Sequence, residues 1–198
     1  MSHPMAPTDA LPDALLDAMT VCVARSGFAG TTLEDVAREA GCSRATLYRH
    51  YPGKAALLAA LVARDGEAIA ARLVAEARVA DHLSDAVVAV VAGGVVALRD
   101  HPALARLLAD EPDVLLPYLS FAGHTAFLAV AADRLAPAFS AHLAPAEAVR
   151  LAEWVVRMTL SYLLCPSDRF DVADAAQVRS GVDAFVVPGF SHPSEVHQ

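Results

Sequence analysis

The chain has a single lysine, Lys54, in 198 residues, and its other strongly basic side chains are all arginines. Its formal net charge is −8, which excludes a protein that coats nucleic acid over its whole surface but leaves room for a local basic face. Cysteine is also scarce. Cys22, Cys42 and Cys165 stand far apart with no CxxC or Cys/His ligand spacing, so metal and redox centres are not expected. Cys22 and Cys42 fall at apolar helical positions and read as reduced, buried thiols. Aromatics make up only 6% of the residues and no alternating β pattern of useful length occurs. No apolar run approaches the ~20 residues of a membrane span, and the amino-terminal segment lacks the basic and apolar regions of a signal peptide. A cytoplasmic chain without membrane contact is expected. Catalytic signatures are missing too: there is no HExxH, no Gly-rich phosphate loop, no GxSxG and no triad, and the eight histidines are scattered. The expectation is a protein that is not an enzyme and needs no cofactor and no metal.

What is present is abundant alanine and leucine with orderly helical punctuation. Leu11, Leu15, Met19 and Cys22 form one stripe of a helix that ends near Gly27. Thr32 precedes a second, short helix with Glu34 and Asp35 in its first turn, and Gly41 suits a left-handed stop. Ser43 is the natural cap of a third helix to about Tyr51, closed by Pro52-Gly53. Further helices are predicted from Lys54 to about Ala80, Asp81 to Arg99, and Pro102 to Ala109. Another is expected to begin between Asp113 and Pro117 and run to Leu135. Pro145 opens one that stops before Pro166, and Asp171 caps a last one that Pro188 terminates. The fold class is therefore all-α, with about nine helices.

The informative stretch is "TTLEDVAREAGCSRATLYRHYPGK", residues 31–54, two short helices joined by a tight turn at Gly41. With Leu47 at the centre of the buried face, Tyr51 lies about 40° away and also turns inward, while Ala45 and Arg49 point outward. Thr46 and Tyr48 flank that outward face, and Arg44 projects along the axis beyond the helix tip. Such a set suits a major groove: alanine permits close approach, arginine can bond guanine O6 and N7, and threonine can meet a thymine methyl or a phosphate. Tyr48, His50 and Lys54 surround it with phosphate-directed donors. Between Arg38 and Lys54 the cations outnumber the one acid, Glu39, in an otherwise acidic chain.

On the residues "GFAGTTLEDVAREAGCSRATLYRHYPGKAALL", 27–58, and above all the "TLYRHYPGK" core, the chain resembles the TetR family of bacterial transcriptional regulators. That resemblance implies an N-terminal three-helix DNA-binding domain, residues 9–54, on a C-terminal helical ligand-binding and dimerisation domain, residues 55–190. Residues 1–8 and 191–198 read as flexible tails. Carried over position by position, the DNA-facing residues are Thr32, Ser43, Arg44, Ala45, Thr46, Tyr48, Arg49, His50 and Lys54. The implied partners are a double-stranded DNA operator, a second copy of the chain in a homodimer, and a small-molecule effector. Beyond about residue 60 the likeness is one of architecture.

In the larger half, the helix from Pro145 is apolar on nearly every side, which means burial on nearly every side. Ala152, Val156, Thr159 and Leu163 on that helix, with Val178, Val182, Phe185 and Val186 on the last, are the expected dimer contacts. The effector pocket is expected among the middle helices, with Val90, Leu98, Tyr118, Phe121, His124, Phe127, Leu128 and Met158 facing it. Such a lining favours a lipophilic molecule. Gly93-Gly94 inside a helix points to a close approach by a neighbour. The expected function is a ligand-responsive repressor binding a palindrome; an activator of the same fold and a helical-bundle enzyme are the alternatives.

Overall fold

The computed structural model describes residues 10–119 and 125–190. Helices dominate: α1 (Leu11–Gly30), α2 (Leu33–Glu39), α3 (Arg44–His50), α4 (Lys54–Ala77), α5 (Leu83–Asp100) and α6 (Pro102–Asp110) follow in order. Then come α7 (Pro112–Leu119), α8 (Thr125–Leu135), a 3-10 turn (Ala136–Ala138) and α9 (Pro145–Leu164). The chain closes on α10 (Ala175–Gly181), a π turn (Val182–Val186) and α11 (Val187–Phe190). Among the described residues no helix is long and apolar enough to cross a membrane.

Two compact units result. The first holds residues to Gly66 together with Arg99–Leu115, so it is larger than residues 9–54. The reason is α6. Ala103, Leu104 and Leu107 form a buried stripe on it, and the helix packs on α1, whose Leu15, Met19 and Val23 are fully enclosed. Amphipathic spacing of this kind buries one face against a neighbour whatever the distance along the sequence.

The second unit holds Glu67–Leu98 and the residues from Leu116 onward. Its core is built on Val87, Phe139, Leu151 and Val155, with α8 lying along α9. One of the paired glycines has a packing role: a Cβ on Gly93 would sit 2.6 Å from Leu73 Cδ2, so alanine there requires the Leu73 side chain to shift, whereas Gly94 leaves room for ordinary contact. Arg179 of α10 donates to Asp85 at the start of α5, and Arg134 of α8 to Glu67.

Three expected boundaries change. The single helix expected to reach Leu135 is described as α7 and α8, on either side of residues 120–124, which lie outside the described residues. The last helix is capped by Asp174, whose Oδ1 accepts from the Ala176 and Gln177 amides, while Asp171 caps only the turn before it through the Ala173 amide. Pro188 does not end that helix. A π turn precedes it, with the Val187 amide donating to Val182 O, and helical backbone continues to Phe190. Such widened turns absorb irregularities inside helices.

Candidate nucleic-acid interface

The recognition geometry starts with α1, which does not run straight to its end. Gly27 takes φ 72° and ψ 173°, a left-handed value open to glycine, and residues 28–30 form a separate turn. Thr31 Oγ1 donates to Gly27 O at 2.6 Å and its amide to Phe28 O at 3.2 Å, closing the corner.

The helix α2 begins with a reciprocal cap. Thr32 Oγ1 accepts from the Asp35 amide at 3.1 Å, and Asp35 Oδ2 accepts from the Thr32 amide at 3.2 Å and the Thr32 hydroxyl at 2.5 Å. Hydrogen bonds from the Thr32 hydroxyl and then its amide hold the Asp35 carboxyl below the usual carboxylate range. At the other end Gly41, φ 67°, lets the Cys42 amide return to Ala37 O at 2.9 Å and the Gly41 amide to Arg38 O.

Ser43 then caps α3, its Oγ accepting from the Thr46 amide at 3.1 Å and pairing with Thr46 Oγ1 at 2.8 Å. Leu47 is fully buried, and that burial stabilises the docked helix by about 1.5–3 kcal/mol. Tyr51, half-buried at the C-terminus, is pushed up in pKa mainly by that burial, in line with its inward placement.

What α3 shows outward is the expected set. Ser43, Arg44, Ala45, Tyr48, Arg49 and His50 are exposed, and Thr46 is half-exposed. Arg44 Nη2 donates to Tyr48 Oη at 3.2 Å and its guanidinium lies 5.3 Å from the Tyr48 ring centroid, so the two side chains hold each other along one edge. Arg49 has no hydrogen bond or ion pair among the described residues. Thr32, the cap of α2, is exposed as well.

Two expected cations are occupied elsewhere. Arg38 pairs with Asp35 at 3.1 Å and Glu34 at 3.6 Å, so it adds little to the basic face. Lys54, expected to address phosphate, donates to Phe28 O at 2.7 Å and Thr31 O at 2.9 Å and lies 4.3 Å from the Phe28 ring centroid. Two of its three donors thus fasten the α1 corner, because carbonyl groups at a helix end lack intrahelical partners. The outward donors that remain are Arg44, Arg49, His50 and the neighbouring hydroxyls.

Sequence reasoning missed Glu111. From the α6–α7 junction its carboxylate accepts from the Phe28 amide (Oε1, 2.8 Å) and the Ala29 amide (Oε2, 2.8 Å). Nothing in the "DEPD" stretch signals this, because its partners are backbone groups distant in sequence.

The second unit revises the other two sets of expected residues. Ala152, Val156, Thr159, Val178, Val182 and Val186 are buried within the chain itself, and Leu163 packs partly buried against the same core. They serve the unit's own interior, so of the expected dimer contacts only Phe185, 85% exposed, is open to a partner. Trp154, 40% exposed, joins it beside a groove of about 670 Å³ lined also by Met158, Tyr162, Phe170 and Gly181. Thr159 reaches this groove with a buried hydroxyl that has no hydrogen-bond partner among the described residues. Of the expected pocket residues Met158 alone lines the groove; Val90 and Leu128 belong to the filled core with Phe127 packed on it, and Leu98 is half-buried. Tyr118 lies in α7, and Phe121 and His124 fall outside the described residues.

Against known proteins, residues 15–61 match the family model for bacterial regulatory proteins of the tetR family. An uncharacterized HTH-type transcriptional regulator of Mycobacterium tuberculosis is 29% identical over 185 residues, 91% of this chain and 86% of that protein. Among solved structures, the TetR family repressor AlkX from Dietzia sp., implicated in biodegradation of n-alkanes, superposes with a TM-score of 0.71. It is 22% identical, and the match spans 95% of this chain and 97% of that one. The fatty acid degradation regulator FadR from Bacillus halodurans gives a TM-score of 0.61 at 15% identity, over 91% and 96% of the two chains.

Proposed function

The chain belongs to the TetR family of transcriptional regulators, and on that premise we propose that it is a repressor that binds a palindromic operator as a homodimer and is released by a small lipophilic effector. One observation carries the DNA half of this reading. The capped helix α3 buries Leu47 and turns Ala45, Arg49 and the Arg44–Tyr48 pair outward, with no protein partner for Arg49 among the described residues. Arg49 is the base-reading group in this scheme, bidentate to a guanine. Arg44 and Thr46 serve the flanking base edges or phosphate, and Tyr48, His50, Ser43 and Thr32 serve phosphate.

One such helix reads too few base pairs for useful selectivity. Two copies related by a two-fold axis read a palindrome whose half-sites lie one helical turn, ~34–36 Å, apart. Support for the homodimer comes from Trp154 and Phe185, large apolar side chains exposed beside the apolar groove of α9 and α10. Support for a lipophilic effector comes from the fold relatives AlkX and FadR, named for alkane and fatty acid metabolism. Effector binding then acts through α4, whose residues run from the first unit into the second. A coupling of ~1–3 kcal/mol changes operator affinity about 5–150-fold, provided the effector binds the two states unequally.

Selection of duplexes from a random library by the full-length protein tests the reading. Enrichment of a palindrome with half-sites one turn apart is the expected result. Recovery of no common sequence, or of a single isolated half-site bound by a monomer, contradicts it.

A further inference from the structure

The corner between α1 and α2 is held from both of its polar ends by side chains from elsewhere. Glu111 takes the amides of Phe28 and Ala29, while Lys54 takes the carbonyls of Phe28 and Thr31. The local sequence is shaped to admit the carboxylate. Gly27 has a left-handed φ, and a Cβ there would overlap Glu111 Oε1, so the acid lies where any other residue would carry its side chain. A carboxylate with one oxygen on each of two adjacent amides fixes direction as well as distance, and charge-assisted bonds of this kind are stronger than neutral ones.

The position of Glu111 is in turn set by the two helices that meet there. Its amide donates to Leu107 O in the last turn of α6, and its carbonyl accepts from the Val114 amide in the first turn of α7. The α7 helix starts in the first unit and continues past residue 115 into the second. On the other side of the corner, Thr31 is buried and Thr32 immediately caps α2. Beside the apolar packing of α6 on α1, a polar path from α7 to the reading helix therefore runs through one carboxylate and a three-residue turn.

Resting on the reading of α3 as the DNA-contacting helix, we infer that Glu111 is a positioning residue for operator recognition: it sets the direction in which α2 and α3 leave α1, and displacement of the α6–α7 junction acts on DNA binding through it. The carboxylate itself touches no DNA. Loss of the clasp leaves the Phe28–Gly30 turn held by Lys54 on its carbonyl side alone, so α3 loses its fixed aim while keeping its own caps and its buried Leu47. Selective binding needs both helices of a dimer aimed together, whereas non-selective attraction to phosphate does not.

The test uses the full chain with Glu111→Ala and Glu111→Gln, the latter keeping the shape but only one acceptor. Amide exchange at Phe28 and Ala29 is measured in the free protein, and affinity is measured for the selected operator and for a scrambled duplex. The expected result is faster exchange at both amides and about a ten-fold loss in operator affinity for Glu111→Ala, with scrambled-duplex affinity unchanged and Glu111→Gln intermediate. If Glu111→Ala does not fold, Glu111→Gln decides by the same two readouts. Slow exchange with an unchanged operator-to-scrambled ratio overturns the inference, as does an equal loss on both duplexes, which marks a merely structural role. A wild type without sequence preference contradicts the functional reading instead, and the exchange arm still decides whether the clasp exists.

Discussion

The only lysine of the chain, Lys54, is bound to Phe28 twice over: Nζ donates to the Phe28 carbonyl at 2.7 Å and lies 4.3 Å from the centroid of the Phe28 ring. A second bond to Thr31 O at 2.9 Å leaves one ammonium donor for solvent or a ligand. An ammonium can meet two carbonyls and a ring face at once because it is a compact charge on a long flexible stem.

Lys54→Ala is therefore expected to act on stability first. Thr31 O loses its donor, and Phe28 O keeps only the Thr31 amide, at a cost of about 2 kcal/mol, seen as a lower midpoint in urea. The salt dependence of DNA affinity should change little, because this ammonium is not the main phosphate ligand. A variant with unaltered stability and a slope shallower by about one ion would restore Lys54 to the phosphate contacts.

The α2 cap gives a pH dependence with a definite sign. Asp35 titrates below its ordinary value of 3.8 because the Thr32 hydroxyl and amide bond its ionised form. A carboxyl depressed on folding adds stability above its unfolded pKa, and that stability is lost as pH falls through the lower folded value. Thr32→Ala removes the main cause. The expected result is a melting temperature several degrees lower at neutral pH, with the gap to wild type closing below about pH 4 as Asp35 is protonated. A gap that stayed constant down to pH 2 would show that the Asp35 bonds do not contribute.

The exposed apolar pair on α9 and the π turn makes the homodimer testable. Phe185→Glu places a charge on the most exposed large hydrophobic side chain of the described residues and leaves the buried Val182 and Val186 in place. Self-association, followed by analytical ultracentrifugation across a dilution series, should weaken about ten-fold or more while helix content stays the same. A variant that remains dimeric at the same dilution would put the partner on another face.

The parts of the fold governed by short-range rules were legible in the sequence. Ser43, Gly41 and Thr32 announce caps and a left-handed turn, and the spacing of Leu47 against Ala45 and Arg49 fixes which side of α3 faces in. What was not legible depends on partners far along the chain. Lys54 and Glu111 bind backbone groups of Phe28, Ala29 and Thr31, and a backbone amide or carbonyl carries no signature in the sequence. The α9 surface shows a different difficulty. A helix apolar on nearly every side has no preferred phase, so Ala152, Val156 and Thr159 could not be told from Trp154 as the open side before the core was seen. The π turn at Val182–Val186 shifts the phase again, and Phe185 lies exposed within it while Val182 and Val186 are buried.

The most direct measurement is operator binding by Arg49→Ala, scanned over every base of the half-site by fluorescence anisotropy. The expected result is a loss of about 1–3 kcal/mol for the preferred sequence and near-equal affinity for all four bases at one position per half-site, with the other positions still selective. Full affinity and an intact preference at every position would contradict the assignment of the outer face of α3 as the DNA-reading surface.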